Sequence, residues 1–364
     1  MNNIKIRGLR SSDMSEIERL ISLREKITPE AIKKRTELFE WLAFHNPSNE
    51  ENEATYFVAD DNGKLVAYHG RMPIKFLIDG KMEKGYFQHD LFVDPECRKK
   101  GLGFWLTMSL AKAIEEDSKA FFCLFGMTPL NLQMQRRRNY FETKTSGFVK
   151  IFNPHKQLTK KFQKPILVKI LNPLGKLFLN IGNVFLLGSL GRKSKLVEVD
   201  RFDERFEKLF IDLSVKLKNS TYKHSDHLNW KYVDRPYKRE TILALFNKED
   251  MLGYAIVCFS PYDGPYKNGV LLDFVCDPEN ESVIKTLCKE SILYFKQKKA
   301  DSIDCILTDN RYVRIFKKFG FFRKEGKTVM FGNFSSDSPI ENNIKEISNW
   351  NMSMSESDAY MLSP

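Results

Sequence analysis

The chain has few cysteines, little glycine or proline, and no uninterrupted apolar span. Its six cysteines, Cys97, Cys123, Cys258, Cys276, Cys288 and Cys305, include no two that are three apart. That argues against a zinc site and suits a reducing compartment. Nineteen Gly and fourteen Pro in 364 residues exclude a fibrous or low-complexity chain. The nearest approach to a membrane span, Pro165 to Leu190, is broken by Lys169, Pro173, Gly175, Lys176, Gly182 and Gly188. Met1 to Arg10 alternates polar and apolar residues and lacks the charged end and apolar run of a secretion signal, so a cytoplasmic protein is expected.

Acidic residues are missing from one stretch in particular. The net charge is +11, yet residues 150–197 hold ten Lys or Arg and no Asp or Glu, leaving about +1 for everything else. The basicity therefore belongs to one segment and says little about what the rest of the surface binds.

What is present is a repeat. Trp41-Leu-Ala-Phe-His-Asn-Pro47 and Trp230-Lys-Tyr-Val-Asp-Arg-Pro236 share their spacing. Each is followed by two strand-like runs around a polar turn, Asp60-Asp-Asn-Gly63 in the first copy and Asn247-Lys-Glu-Asp250 in the second. Asp90-Leu-Phe-Val-Asp-Pro95 matches Asp273-Phe-Val-Cys-Asp-Pro278, and each precedes a helical stretch, Phe104 to Glu116 and Glu281 to Lys298. Apolar strands at Phe121–Phe125 and Ile303–Leu307 follow, then a helix with an aromatic ending at Tyr140-Phe141 and Gly320-Phe321. The pattern predicts two copies of one α/β (α+β) unit. The organisation is residues 1–150, a basic amphipathic connector over 151–199, and a second unit over 200–364 whose polar tail from Ser335 forms a terminal strand or loose end.

Only the first copy carries a phosphate-binding pattern. The strand Gln88-His-Asp-Leu-Phe-Val93 runs through Asp94-Pro95 into Arg98-Lys-Lys-Gly-Leu-Gly103 and then a helix. Gly101 and Gly103 uncover backbone N–H groups at a helix start, and Arg98, Lys99 and Lys100 add charge, a combination suited to pyrophosphate. The plainer alternative is a solvated basic turn. Leu106 stands where a dinucleotide fingerprint needs its third glycine, and no Gly-Lys-Ser/Thr of a P-loop follows. The second copy has Glu279-Asn-Glu-Ser282 in place of this loop, and its carboxylates would repel a pyrophosphate.

Arg98-Lys-Lys-Gly-Leu-Gly103 after Asp90-Leu-Phe-Val-Asp-Pro95 resembles the pyrophosphate loop of the GNAT acyltransferase superfamily. The resemblance covers most of residues 4–150 and makes the second unit a degenerate copy. It implies two GNAT-like units, each a mixed, mainly antiparallel sheet flanked by helices, with acetyl-CoA as co-substrate and no metal. Its implied cofactor contacts are Leu91, Phe92 and Val93 on the strand, Arg98, Lys99, Lys100, Gly101, Leu102, Gly103 and Phe104 at the loop and helix start, and Asn131 on the next helix.

Acyl transfer to an amine needs a base, a polarised thioester carbonyl and a proton for the thiolate. A backbone N–H near Phe92 or Val93 could polarise the carbonyl. Asp90 is the first candidate base and His89 the second. They are neighbours on a strand and would face opposite ways. The matching Asp273 in the degenerate unit favours a structural reading of Asp90. The family's usual tyrosine acid is replaced by Arg136, so Tyr140, Arg136 or water would serve.

The remaining histidines offer less. His224 and His227 lack a third ligand and read as a solvated turn before Trp230. In the connector, apolar residues spaced three and four apart predict an amphipathic helix pair broken around Asn172-Pro173, docked on a core or, through residues 155–195, on the inner face of an anionic membrane. Few aromatics there make nucleic acid unlikely. The expected partner is a small or medium amine, an amino sugar being one possibility. The alternatives are an aminoacyl-tRNA-dependent transferase and a non-catalytic acyl-CoA sensor or membrane-associated scaffold. Oligomeric state is not legible.

Overall fold

The computed structural model describes residues 3–25, 27–51, 53–117, 121–126, 128–162, 165–187, 194–261, 264–332 and 340–356. Among them the strands are β1 (Ile4–Gly8), β2 (Tyr56–Asp61), β3 (Lys64–Ile78), β4 (Lys81–Val93), β5 (Phe121–Phe125), β6 (Phe141–Ile151), β7 (Lys195–Val199), β8 (Asn219–Thr221), β9 (Thr241–Asn247), β10 (Asp250–Phe259), β11 (Asn268–Cys276), β12 (Ser302–Ile306), β13 (Phe322–Gly332) and β14 (Trp350–Asn351). The helices are α1 (Met14–Glu25), α2 (Pro29–Phe44), α3 (Pro95–Lys99), α4 (Gly103–Glu116), α5 (Pro129–Arg137), α6 (His155–Lys161), α7 (Pro165–Leu187), α8 (Glu204–Ser214), α9 (Ser225–Tyr232), α10 (Glu281–Gln297), α11 (Asn310–Lys318) and α12 (Ile340–Lys345).

The mixed, mainly antiparallel architecture expected from the sequence is present, with one addition. The two copies share a single sheet in the order β1-β2-β3-β4-β5-β13-β6-β12-β11-β10-β9-β7. β13, from the second copy, runs antiparallel between β5 and β6, with Val329 opposite Phe125 and Phe322 opposite Val149. β6, from the first copy, pairs with β12, Ser302 lying opposite Ile151. Each half of the chain thus completes the other's part of the sheet, with β13 between β5 and β6 and β6 between β13 and β12.

Local chemistry sets the elements that frame the site. Thr28 caps α2, its hydroxyl accepting from the Ala31 N–H at 3.3 Å, with Pro29 at the first helical position. α4 buries Leu106, Leu110 and Ile114, four apart on one stripe, against β2, β3 and β4. On the opposite sheet face, α1 and α2 pack Ile17, Leu20, Ile21 and Phe39 against Tyr56 and Tyr68. β4 and β5 run parallel only where Gly85–Phe87 faces Phe121–Cys123, and beyond Phe87 the two strands part.

The tail is docked, not loose. β14 pairs with β8, and Trp350 is fully buried, stacked on Phe331 at 5.0 Å between ring centroids. Residues 335–339 and 357–364 of the tail lie outside the described residues. The connector also departs from expectation. α7 runs unbroken through Pro173, and the discontinuity falls between α6 and α7 instead. Pro173 is exposed, so water can take over the carbonyl that it frees. Gly188, expected to interrupt this stretch, lies outside the described residues. His227 is buried and not in a solvated turn. It packs beside Trp230, with the His224 side chain accepting from its backbone N–H.

Candidate active site

The parting of β4 and β5 opens two adjoining cavities. One, of about 270 Å³, is lined by Leu91, Phe92, Val93, Arg98, Gly103, Phe104, Thr107, Leu130, Asn131 and Met134. The other, of about 180 Å³, continues from Leu91 and Asn131 into the notch and reaches Arg24, His69, Gln88, His89, Asp90, Phe125, Gly126, Thr128 and Gln135. Beyond His89, Gln88 and Phe125 a further void of about 10 Å³ is closed by Leu42, Met72, Phe87 and Glu356. Of the cofactor contacts expected from the sequence, Leu91, Phe92, Val93, Arg98, Gly103, Phe104 and Asn131 therefore converge on one groove.

The loop residues play different parts. Gly101 has φ +76°, and a Cβ there would meet nothing within 4 Å, so backbone conformation and not space requires glycine. At Gly103 the constraint is contact, because a Cβ would sit 3.1 Å from Arg98 Cγ. Leu102 precedes α4 and half-buries its side chain against the α4 core. The first N–H groups of α4 have no acceptor within the helix and carry the positive end of its dipole. Arg98 lies over the Phe92 ring at 5.8 Å. Lys99 is engaged with Glu96 at 2.7 Å on an exposed surface, and neither Lys99 nor Lys100 lines the groove.

Asp90 sits at the heart of the notch and at a break in register. Tyr68 opposes Phe92 and Gly70 opposes His89, and Asp90 takes φ +53° in the bulge between. Its carboxylate accepts from Arg24, from Arg35 Nη2 at 3.2 Å and from the Tyr56 hydroxyl at 3.3 Å. Burial pushes this carboxyl up, but the guanidinium charges of Arg35 and Arg24 outweigh it and hold the group at about 2. The oxygens of this carboxylate are already occupied by three donors. It fixes the bulge and the geometry of its neighbour.

That neighbour, His89, lines both the notch and the small void, and burial lowers its imidazole to about 4. His69 is buried alongside and lowered to about 3 by the same cause, with the Arg138 charge adding to it. Both rings are uncharged at neutral pH. His69 Nδ1 and Gln88 Oε1 are buried without a hydrogen-bond partner, so the notch offers polar atoms to an incoming ligand.

Tyr140 does not line either cavity. Its hydroxyl donates to Glu115 and accepts from Gln88 Nε2 at 3.3 Å, and burial keeps the phenol protonated well above its ordinary range. It stands behind Gln88, which does face the notch. Arg136, the other expected partner of the leaving thiolate, is on the surface, paired with Glu142 at 2.7 Å.

In the second copy a tyrosine of α11 reaches the end of β11. The Tyr312 hydroxyl donates to the Cys276 carbonyl at 2.5 Å, with its ring edge-on to Phe274. The acidic loop is neutralised within the fold, Asp277 pairing with Lys216 at 2.5 Å and Glu281 with Lys285 at 3.1 Å. Asp273, the counterpart of Asp90, pairs with buried Lys223 at 2.7 Å. Among the described residues no cluster suits a metal ion.

Sequence reasoning missed Arg24, Arg35, Gln88, His69, Phe125, Thr128, Leu130 and Met134. Arg24, Arg35, Thr128, Leu130 and Met134 arrive through the packing of α1, α2 and α5, and His69, Gln88 and Phe125 through the pairing of β3, β4 and β5. The single legible hint was the strand position of Gln88.

A parted pair of parallel strands thus lies beside a glycine-opened helix start in the first half of the chain. Residues 18–135 match the family described as the acetyltransferase (GNAT) family. That match lies within the first unit and spans about a third of the chain. Solved structures share the whole two-unit fold. Saccharomyces cerevisiae N-myristoyltransferase with bound myristoyl-CoA aligns at TM-score 0.57 and 11% identity over 92% of this chain and 84% of that one. An Enterococcus faecalis protein described as a probable N-acyltransferase aligns at 0.61 and 13% over 91% and 72%. A GCN5-related N-acetyltransferase from Anabaena variabilis aligns at 0.60 and 10% over 90% and 72%. No curated protein matches the chain by sequence.

Proposed function

We propose that the protein transfers the acyl group of acetyl-CoA to the amine of a small or medium acceptor, the chemistry taking place in the notch of the first unit. The observation that carries this reading is the continuity of the two cavities, from Arg98 and the start of α4 to His89. The pyrophosphate would lie at α4, held by its N–H groups and Arg98. The pantetheine arm would follow the edge of β4 that β5 no longer covers, offering its amides to unpaired main-chain groups and to Gln88 Oε1. The thioester would then lie beside His89.

The amine nitrogen attacks the thioester carbonyl, a C–N bond forms, and the C–S bond breaks. His89, uncharged and in the notch, takes the proton from the amine and passes it to the departing thiolate, so the products are an amide and the free thiol. Asp90, Arg24 and Arg35 are positioning residues for that imidazole. The narrow void beyond His89 leaves room for a short acyl group, which supports acetyl over long chains.

Calorimetric titration of acetyl-CoA into the protein and into its Gly101→Glu variant tests the reading. Micromolar binding that the variant abolishes is expected, because glutamate there brings a carboxylate to the pyrophosphate in a strained left-handed conformation. Undiminished binding in the variant would refute it. Release of thiol on mixing acetyl-CoA with a panel of amines then identifies the acceptor.

A further inference from the structure

The basic connector is unused by the chemistry above, and the structure shows how it is built. At about 100° per residue, Ile166, Ile170, Leu174 and Leu177 of α7 fall within an arc of about 80°. All four are more than half exposed, at 75%, 57%, 60% and 59%, with Leu167 at the edge of the same stripe at 41%. Val168 and Gly175 lie on the opposite side and face inward. Val168 is buried, and a Cβ at Gly175 would lie 2.8 Å from Pro154 Cγ. The helix is thus docked by one side and presents its apolar side to solvent. Lys169 and Lys176 both project along one flank of the stripe, about 60° to 80° from Ile166. Exposed Lys160 and Lys161 close the preceding α6. No carboxylate occurs anywhere between residues 150 and 197.

We infer that α6 and α7 form an interfacial anchor that lays the stripe Ile166, Ile170, Leu174 and Leu177 into an anionic lipid surface, with Lys160, Lys161, Lys169 and Lys176 at the level of the headgroups. Charge complementarity selects this occupant. An apolar stripe alone would suit a second copy of the chain, but two copies meeting through α7 would bring these four lysines together from each side with no connector carboxylate to offset them. An anionic membrane supplies the missing negative charge along its whole plane. The helix lies on the surface and does not cross it, since no described helix is long and apolar enough to span a membrane.

Cosedimentation of the full chain with vesicles of phosphatidylcholine containing one third phosphatidylglycerol tests the proposal, alongside phosphatidylcholine vesicles. Binding to the anionic vesicles is expected, with at least about a tenfold loss in Ile170→Ser/Leu174→Ser and in Lys169→Glu/Lys176→Glu and a fall with salt. Lys169, Ile170 and Leu174 are exposed and Lys176 half-buried, and an unchanged far-ultraviolet spectrum and acetyl-CoA affinity would show that the variants fold. No binding to anionic vesicles overturns the proposal, as does binding that both double variants leave intact. A dimer in solution that Ile170→Ser/Leu174→Ser dissociates, with no vesicle binding, overturns it in favour of a second copy.

Discussion

The Asp90 carboxylate lies 3.2 Å from Arg35 Nη2, and both side chains are sealed from solvent. Removing one charge would leave the other buried without a partner, a change that typically costs about 3–5 kcal/mol. Asp90→Asn should therefore lower unfolding stability by that order in urea denaturation, while the folded fraction keeps acetyl-CoA binding. A stable Asp90→Asn protein with no turnover would instead make Asp90 the base.

His89 carries a pH signature at higher pH than Asp90, in the same direction. Its folded-state value is about 4 against about 6.5 when unfolded, so the unfolded chain binds the extra proton between those limits. Stability should fall as pH drops from about 6.5 to 4, and His89→Gln should flatten part of that slope in thermal melts. His69 contributes in the same direction. In kinetics, His89→Ala should lower kcat by about 10²-fold or more, the usual range for a lost proton-transfer group. A loss under threefold would remove His89 from the reaction.

Arg98 and Lys99 are neighbours with different surroundings. Arg98→Ala should weaken CoA binding about tenfold and reduce its salt dependence, because a charge-assisted contact to pyrophosphate is lost. Lys99→Ala should change affinity by less than about twofold, since Lys99 is engaged with Glu96 on an exposed surface. Equal effects in calorimetry would contradict the groove described for α4.

Tyr140→Phe removes a donor to Glu115 and an acceptor for Gln88. A stability loss of about 1–3 kcal/mol is expected, with kcat reduced only severalfold through a less constrained Gln88. A hundredfold fall in kcat with unchanged stability would identify Tyr140 as the thiolate's proton donor.

Trp350 is the fullest test of the tail. Trp350→Ala leaves a cavity among Phe76, Phe331 and Ile344 and should cost about 3–5 kcal/mol in chemical unfolding. A neutral result would mean that the tail is not part of the folded core.

The sequence pattern was informative wherever function is written in neighbouring residues. Arg98-Lys-Lys-Gly-Leu-Gly103 exposed the groove because glycines and cations at a strand–helix junction have a local physical reason. Asp90 lines the notch, but its engagement was not legible, because Arg24 and Arg35 lie 66 and 55 residues away and approach only through the packing of α1 and α2. The pairing of His69 with His89 at the notch depends likewise on a bulge. Tyr140 stands just before β6, where its phenol is bonded to Glu115 and Gln88 and lines neither cavity. The continuity of α7 through Pro173 depends on that residue facing solvent, which periodicity alone does not reveal.

The exchange of β6 and β13 gives the chain a timetable. Residues 1–150 contain the groove and the notch, yet β5 gains its neighbour on the far side only from residues 322–332. During synthesis the first unit must wait with an uncovered strand edge until nearly the whole chain has emerged. The half that holds the groove and the notch therefore lacks the neighbour of β5 until the second half exists, so the second is needed to complete the first.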